Sequence, residues 1–512
     1  MLPYDVGSNA IRLAVGKVDD RGKVDIVESI RLPVRLGQDV FDSGRLGEDT
    51  IARAVDAFEQ FRRIIRDTGV SWVRAVATSA MREAVNRDVL IDRIAQRTRI
   101  DVEVISGEEE ARLIHLAVAN AIDLDGRLAL LIDIGGGSVE VTLADSQKIL
   151  TTDSYSMGTV RMLEKLGRNT IGDTVSFEKL AREYAEAARG RIEREIGNAR
   201  IDLCIGTGGN VEELGNLRQK LFKRDSNRQI TVEELDVITD QLKFLTPEER
   251  MREFKLRPDR ADVILPAAIT LRMIAVQGAV KEIRIPNVGL KDGLLLDMAQ
   301  EIGPGEQPLR RDQVWASALQ MGRKYQFDEQ HGKLIARLSL RLFDETRHIH
   351  RLDDESRLLL EVAALLHDIG HFIHTLDHDK HGYYLLTVNY LIGLNDRQQA
   401  IVANIVRYHR KSYPEVDEPS AHQLHYKDRL IVIRLIALLR LADSMDASHT
   451  GRTRDIQVAP HKGGLLLKLI GDGDLMLERW TLTKRKGLFA ESFGVKLEVE
   501  NSISPEPVHE KI

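Results

Sequence analysis

The chain has 512 residues and a mass of 57.7 kDa, more than one hydrophobic core normally serves, so several domains are expected. With 73 Lys+Arg against 79 Asp+Glu the net charge is only −6, which gives no global basic field for nucleic acid, and no apolar run is long enough to cross a bilayer. Cys204 is the only cysteine, which excludes an intrachain disulfide and any multi-cysteine metal site; with no basic region and apolar core at the start, a cytoplasmic location is expected.

Only Met1, Leu2, Pro3 and Tyr4 precede Asp5, too little for an ordinary first strand, and Pro3 cannot donate to a ladder, so the native start is expected upstream. Alternation and apolar periodicity then predict strands over 11–18 and 24–30, a helix over 48–68, a strand over 72–78, a helix over 86–97, a strand over 102–105 and a helix over 108–121. A second α/β lobe follows the same order, with strands over 128–132 and 139–143, a helix over 177–196, a strand over 201–205 and helices to 276. A strand over 282–285 and a helix over 291–299 are expected to close it. The segment Ile302-Gly-Pro-Gly-Glu-Gln-Pro308 disfavours helix and strand alike and reads as a linker. Beyond it, apolar residues recur at three and four through a helical bundle, and alternation returns from about Asp455. The expected plan is lobe I over 1–118, lobe II over 119–300, a linker over 301–311, a helical domain over 312–450 and a small α+β domain over 451–512.

One signature occurs twice, Asp5-Val-Gly-Ser-Asn and Asp133-Ile-Gly-Gly-Gly-Ser, 128 residues apart (133 − 5). A glycine turn lets backbone N–H groups approach anionic oxygens, and an Asp at the end of a buried strand can hold a divalent cation or its waters. Recurrence points to two related phosphate cradles, and strand alternation lets Asp133 and Glu140 reach one cation.

These strings, with Ala77-Thr-Ser-Ala-Met-Arg82, Ser106-Gly-Glu-Glu-Glu-Ala-Arg112 and Gly206-Thr-Gly-Gly209, resemble the exopolyphosphatase and guanosine pentaphosphate phosphohydrolase (Ppx/GppA) family, built on the duplicated actin-like (ribonuclease H-like) fold. The resemblance implies that Glu110 is the catalytic base and that Arg82 lies against the phosphates. It implies phosphate binding by Asp5, Gly7, Ser8 and Asn9, by Gly135, Gly136, Gly137 and Ser138, and by Gly206, Gly208 and Gly209. Asp133 and Glu140 are then ligands of Mg²⁺ or Mn²⁺, with a monovalent cation as an open cofactor. An ordinary carboxylate pKa would leave Glu110 ionised at neutral pH, so that placement matters more than tuning.

In the bundle, His331, His367-Asp368 and Asp443 resemble an HD-type metal phosphohydrolase, with His371, His381 and His409 near enough in sequence to add ligands. Arg407, His409, Arg410, Lys411, Lys427 and Arg434 collect positive charge on otherwise apolar helices, and as a groove they would form a polyphosphate track. The expected activity is metal-dependent hydrolysis of terminal phosphate from inorganic polyphosphate by a homodimer. The alternatives are hydrolysis of guanosine pentaphosphate (pppGpp), an actin-like-fold kinase and a guanine-nucleotide sensor.

Overall fold

The computed structural model describes residues 1–18, 24–68, 72–167, 174–197, 199–302, 308–410 and 424–500. The chain divides into two compact units, residues 1–313 and 314–512. Among the described residues no helix is long and apolar enough to cross a membrane.

The first unit is organised by two sheets of the same plan. One contains β1 (Leu2–Val6), β2 (Ile11–Val18), β3 (Val24–Leu32), β4 (Val73–Ala77) and β5 (Val102–Val104), in the order β3-β2-β1-β4-β5. The other contains β6 (Ala129–Ile134), β7 (Val139–Ala144), β8 (Ile149–Tyr155), β9 (Leu203–Thr207), β10 (Gln229–Thr231) and β11 (Glu282–Arg284), in the order β10-β11-β9-β6-β7-β8. In each, an antiparallel three-strand meander is extended by a parallel strand on the far side of its first member.

The short N-terminus does form a strand, contrary to the sequence expectation. β1 is central, parallel to β4 and antiparallel to β2. Pro3 is tolerated because the β1–β2 register starts at Tyr4↔Leu13, and the ladder resumes beyond the proline where Met1 and Gly16 exchange two backbone bonds of 3.0 and 2.9 Å. Burial secures the strand: Leu2, Tyr4 and Val6 are at most 1% exposed, and Tyr4 stacks on Phe58 with ring centroids 4.9 Å apart.

The helix Gly107–Ala121 starts where Ser106 accepts a hydrogen bond from the Glu109 N–H, with three glutamates in the first turn favoured by the helix dipole. The helix Leu290–Ile302, expected to complete the second lobe, instead packs along Gly107–Ala121 and the first sheet. Its Leu295 fills the space beside Gly16, and its Asp297 accepts from Arg74 at 2.7 Å and from Arg112 at 2.8 Å. The two helices meet so closely that a Cβ on Gly293 would stand 1.8 Å from the Leu113 carbonyl oxygen.

The second unit contains helices Glu329–Glu345, Asp354–Leu366, His378–Val388, Asp396–Tyr408 and Tyr426–Ser444 around one apolar core. A three-stranded sheet of β12 (Thr453–His461), β13 (Gly464–Gly471) and β14 (Lys496–Val499) follows. Its Leu465, Leu467 and Leu497, with Phe489 from the helix Gly487–Phe493, join the core of the helices. Residues 303–307 of the expected linker lie outside the described residues; the flanking helices end at Ile302 and begin at Pro308.

Replacing Gly293 by Ala is expected to destabilise the first unit by at least about 2 kcal/mol, because the methyl group meets backbone rather than a movable side chain. The denaturant midpoint of Gly293→Ala against wild type measures this, and an unchanged midpoint would contradict the close packing.

Candidate active site

The duplicated hairpins build the site from the backbone upward. In β1–β2, Asp5 pairs across the ladder with Arg12; in β6–β7, Asp133 pairs with Glu140. The turns between them close with the same bond, Gly7 N–H to the Ala10 carbonyl and Gly135 N–H to the Ser138 carbonyl, both 3.1 Å. The turns also touch, since a Cβ on Gly136 would lie 3.1 Å from Ser8 Cβ. A third turn joins them at Gly208, whose φ of +97° and approach to the Ile134 carbonyl admit no side chain; it opens the helix Gly209–Leu221.

These turns line a cavity of about 280 Å³ with Asp5, Glu110 and Asp133. Ser8 is 3% exposed and its hydroxyl has no hydrogen-bond partner among the described residues, so a buried polar atom faces the cavity. Gly206 does not join the others. It lies within β9, and its vacant Cβ position faces Val211 and Ile283 in the hydrophobic core.

Of the three glutamates after Ser106, Glu109 is held away by a bidentate pair with Arg112 at 2.7 and 2.8 Å. Glu110 turns into the cavity, where it accepts from Arg82 Nη1 at 3.0 Å. The same Arg82 nitrogen donates to the Ile105 carbonyl at 2.8 Å, and Arg82 Nη2 reaches Ser138 Oγ at 3.4 Å and Glu140 at 4.0 Å. Arg82 therefore ties the helix of Glu110 to the second glycine turn.

Carboxylates crowd here. Glu110, Asp133 and Glu140 offer oxygens that all lie within 4.8 Å of one another. Thr207 donates to Asp133 at 2.6 Å and Ser154 to Glu140 Oε1 at 2.8 Å, while Glu140 Oε2 is buried with no partner. Burial, and then the neighbouring Glu140, push Asp133 up to about 7. Burial and the charges of Glu140 and Asp133 hold Glu110 well above the usual carboxylate range, against the opposing pull of Arg82. The sequence expectation of an ordinary pKa at Glu110 is thus corrected: residues far apart in sequence bring the like charges that raise it.

Sequence reasoning missed the cationic part of the cavity, lined by Arg12, Arg31, Arg257, Arg260 and Lys291. Arg12 pairs with Asp5 at 2.7 Å and Arg31 with Asp259. Arg260 is 5% exposed, donates to Asn210 at 2.7 Å, and lies with Arg12 over Gly209. Burial, then the charges of Arg12 and Arg31, lower its pKa to about 9. One clue was in the sequence, because Arg12 stands in the first hairpin where Glu140 stands in the second; nothing there marked Arg260.

In the second unit His331, His367, Asp368 and Asp443 also converge, with His367 Nε2 3.5 Å from Asp443 and 3.6 Å from Asp368. His409 belongs with them, 3.7 Å from Asp368, and is 1% exposed rather than presented on a track. Arg407 is likewise turned inward, its charge met by Asp379 at 2.7 Å. Lys427 is exposed, Arg410 and Arg434 are half-buried, and Lys411 lies outside the described residues.

Comparison with known proteins finds matches over both units. Residues 15–302 match the model of the Ppx/GppA phosphatase family, and residues 315–484 match Ppx/GppA phosphatase, domain III. A guanosine-5'-triphosphate,3'-diphosphate pyrophosphatase of Vibrio vulnificus is 27% identical over 442 residues, 86% of this chain and 85% of that protein. Among solved structures, an exopolyphosphatase from Cytophaga hutchinsonii superposes with a TM-score of 0.55 at 26% identity, covering 60% of this chain and 99% of that one. A Ppx/GppA family member from Aquifex aeolicus gives 0.51 at 25% identity, covering 59% and 98%. The chain belongs to the Ppx/GppA phosphatase family, whose members hydrolyse phosphoric anhydrides.

Proposed function

We propose that the chain removes the terminal phosphate of inorganic polyphosphate by direct attack of water, with Glu110 as general base. The observation that carries this reading is the position of Glu110 in the cavity that both glycine turns line. A water between Glu110 and the terminal phosphorus would lose its proton to the carboxylate as its oxygen bonds to phosphorus. The bond to the bridging oxygen then breaks, releasing orthophosphate and a chain one unit shorter. Arg82, which donates to Glu110 at 3.0 Å, fixes the orientation of that carboxylate. The glycine-turn amides, Ser8 and the guanidiniums of Arg12 and Arg260 neutralise the phosphate oxygens.

The carboxylates of Asp133 and Glu140, with Glu140 Oε2 lacking any partner among the described residues, fit a hard divalent cation such as Mg²⁺ beside Glu110. When bound there, the cation offsets charge on the transferred phosphoryl group.

Among the described residues the cavity lining contains no aromatic ring on which a purine could stack, which favours a chain of phosphates as the occupant. Hydrolysis of guanosine pentaphosphate is the second reading, favoured by the activity for which the Vibrio relative is named. A kinase or an inert nucleotide sensor finds no comparable support in this site. Turnover of long-chain polyphosphate and guanosine pentaphosphate in parallel separates the two hydrolases: polyphosphate is expected to have the higher kcat/KM, and the reverse order would transfer the assignment.

Glu110→Gln is expected to retain the fold and to lose about 10²- to 10⁴-fold in phosphate release, the usual contribution of a positioned base. Undiminished release would remove Glu110 from the role. Arg260→Met should raise KM by roughly tenfold, consistent with loss of one charge-assisted contact, yet leave the melting temperature unchanged or higher because like-charge crowding is relieved. A chelator should abolish phosphate release from wild type, and Mg²⁺ should restore it.

A further inference from the structure

The second glycine turn is held from behind by the start of a helix. Donors at the beginning of Thr159–Gly167 meet the turn carbonyls in series: Thr159 N–H bonds the Gly135 carbonyl at 3.1 Å, Val160 N–H that of Gly136 at 2.8 Å, and Gly158 N–H, just before the helix, that of Gly137 at 3.3 Å. A helix start leaves such donors without partners inside the helix, and here the turn supplies them. The approach is close enough that a Cβ on Gly158 would stand 2.3 Å from the Gly137 carbonyl carbon. A trans peptide points its N–H away from its carbonyl, so the N–H groups of Gly136, Gly137 and Ser138 are directed away from the helix, and these three residues line the cavity. The Gly135 carbonyl, the ordinary hairpin partner of the Ser138 N–H, accepts instead from Thr159.

One side chain completes this support. Arg161 is 4% exposed, and its Nε donates to the Gly137 carbonyl at 2.7 Å. The rest of its guanidinium crosses to the lobe of the first sheet. There Nη1 donates to Glu83 Oε2 at 2.9 Å and Nη2 to Glu83 Oε1, Nη2 also reaches Ser79 Oγ at 3.4 Å, and the guanidinium carbon lies 4.1 Å from the centroid of the Phe41 ring. Phe41 and Ser79 also occupy the place of a side chain at Gly137, where a Cβ would stand 2.3 and 2.4 Å from them. Glu83 follows Arg82 on the helix Ser79–Glu83, so one short helix engages the turn twice, through Arg82 at Ser138 Oγ and through Glu83 at Arg161.

We propose that Arg161 is a positioning residue for phosphoryl transfer: its Nε sets the plane of the Gly137–Ser138 peptide, and its ion pair with Glu83 ties that setting to closure of the first-sheet lobe over the turn. The inference rests on the reading that this turn holds the transferred phosphate. Among the described residues that line the cavity, neither Arg161 nor Glu83 is found, so both act through the backbone and not on the substrate. Their contributions separate. Without the Gly137 bond the peptide can rotate, an amide aimed at the transferring phosphoryl loses its alignment, and kcat falls. Without the charge of Glu83 the turn keeps its support, but substrate has to close the lobes unaided, and KM rises. A lysine at 161 keeps the charge and loses the planar fork that serves a carbonyl and a carboxylate together.

Phosphate release from long-chain polyphosphate, with a melting temperature for each protein, is measured for wild type, Arg161→Lys, Arg161→Ala and Glu83→Gln. Both Arg161 variants are expected to lose about 10²-fold in kcat, the usual cost of displacing a contact by about 1 Å. Added guanidinium ion, at a concentration that leaves wild type unaffected, should restore about tenfold in kcat to Arg161→Ala and nothing to Arg161→Lys. Glu83→Gln should raise KM about fivefold or more at nearly unchanged kcat. The Glu83 side chain is 44% exposed, so that variant keeps the test decisive even where Arg161→Ala does not fold. Folded Arg161 variants with the wild-type kcat overturn the proposal, as does a wild-type KM in Glu83→Gln, or a loss in Arg161→Ala that tracks its melting temperature and ignores guanidinium. All of these proteins keep Glu110, so full activity in Glu110→Gln would remove the base and leave this result standing, while failure here leaves Glu110 in its role.

Discussion

Everything in the first unit follows from charge that is buried against like charge. Glu110, Asp133 and Glu140 bring three carboxylates together, and Arg260 lies buried beside Arg12 and Arg31 while donating to the neutral Asn210. Neither group would be stable as a matter of packing alone, because desolvated like charges raise each other's free energy. On the function proposed above, a divalent cation would satisfy the first and a polyanion would engage the second.

Duplication explains how such a site arises from ordinary elements. Two hairpins of the same register present Asp5 with Arg12 and Asp133 with Glu140. One hairpin kept an acid and a base, the other two acids, so a symmetric scaffold holds an asymmetric field. The helix bearing Glu110 is then seated by Leu290–Ile302, through the contact at Gly293 and the Asp297 bridge between Arg74 and Arg112. Buried ion pairs of this type position groups more than they stabilise the fold.

Local signals carried much of this. The 48–68 helix and the 11–18 strand have the bounds that periodicity predicts, and the paired Asp-x-Gly signatures are the two equivalent hairpin turns that line the cavity. What could not be read locally depends on tertiary neighbours. Pro3 sits in a central strand because its ladder position needs no donor. The raised pKa of Glu110 comes from burial and then from the charges of Glu140 and Asp133, distant in sequence. Arg407 carries the same letter as a phosphate-binding arginine, but Asp379 neutralises it. In the helical unit, His378 escaped notice because only the bundle geometry turns it toward His409.

The central claim is that the cleft holds the last phosphorus of a chain with a water poised at Glu110. Single-turnover hydrolysis in ¹⁸O-labelled water tests it most directly, with the label traced by mass spectrometry. The account predicts one ¹⁸O in each released orthophosphate and none in the shortened polymer. Label at the new end of the polymer would place the attack on the neighbouring phosphorus and contradict it.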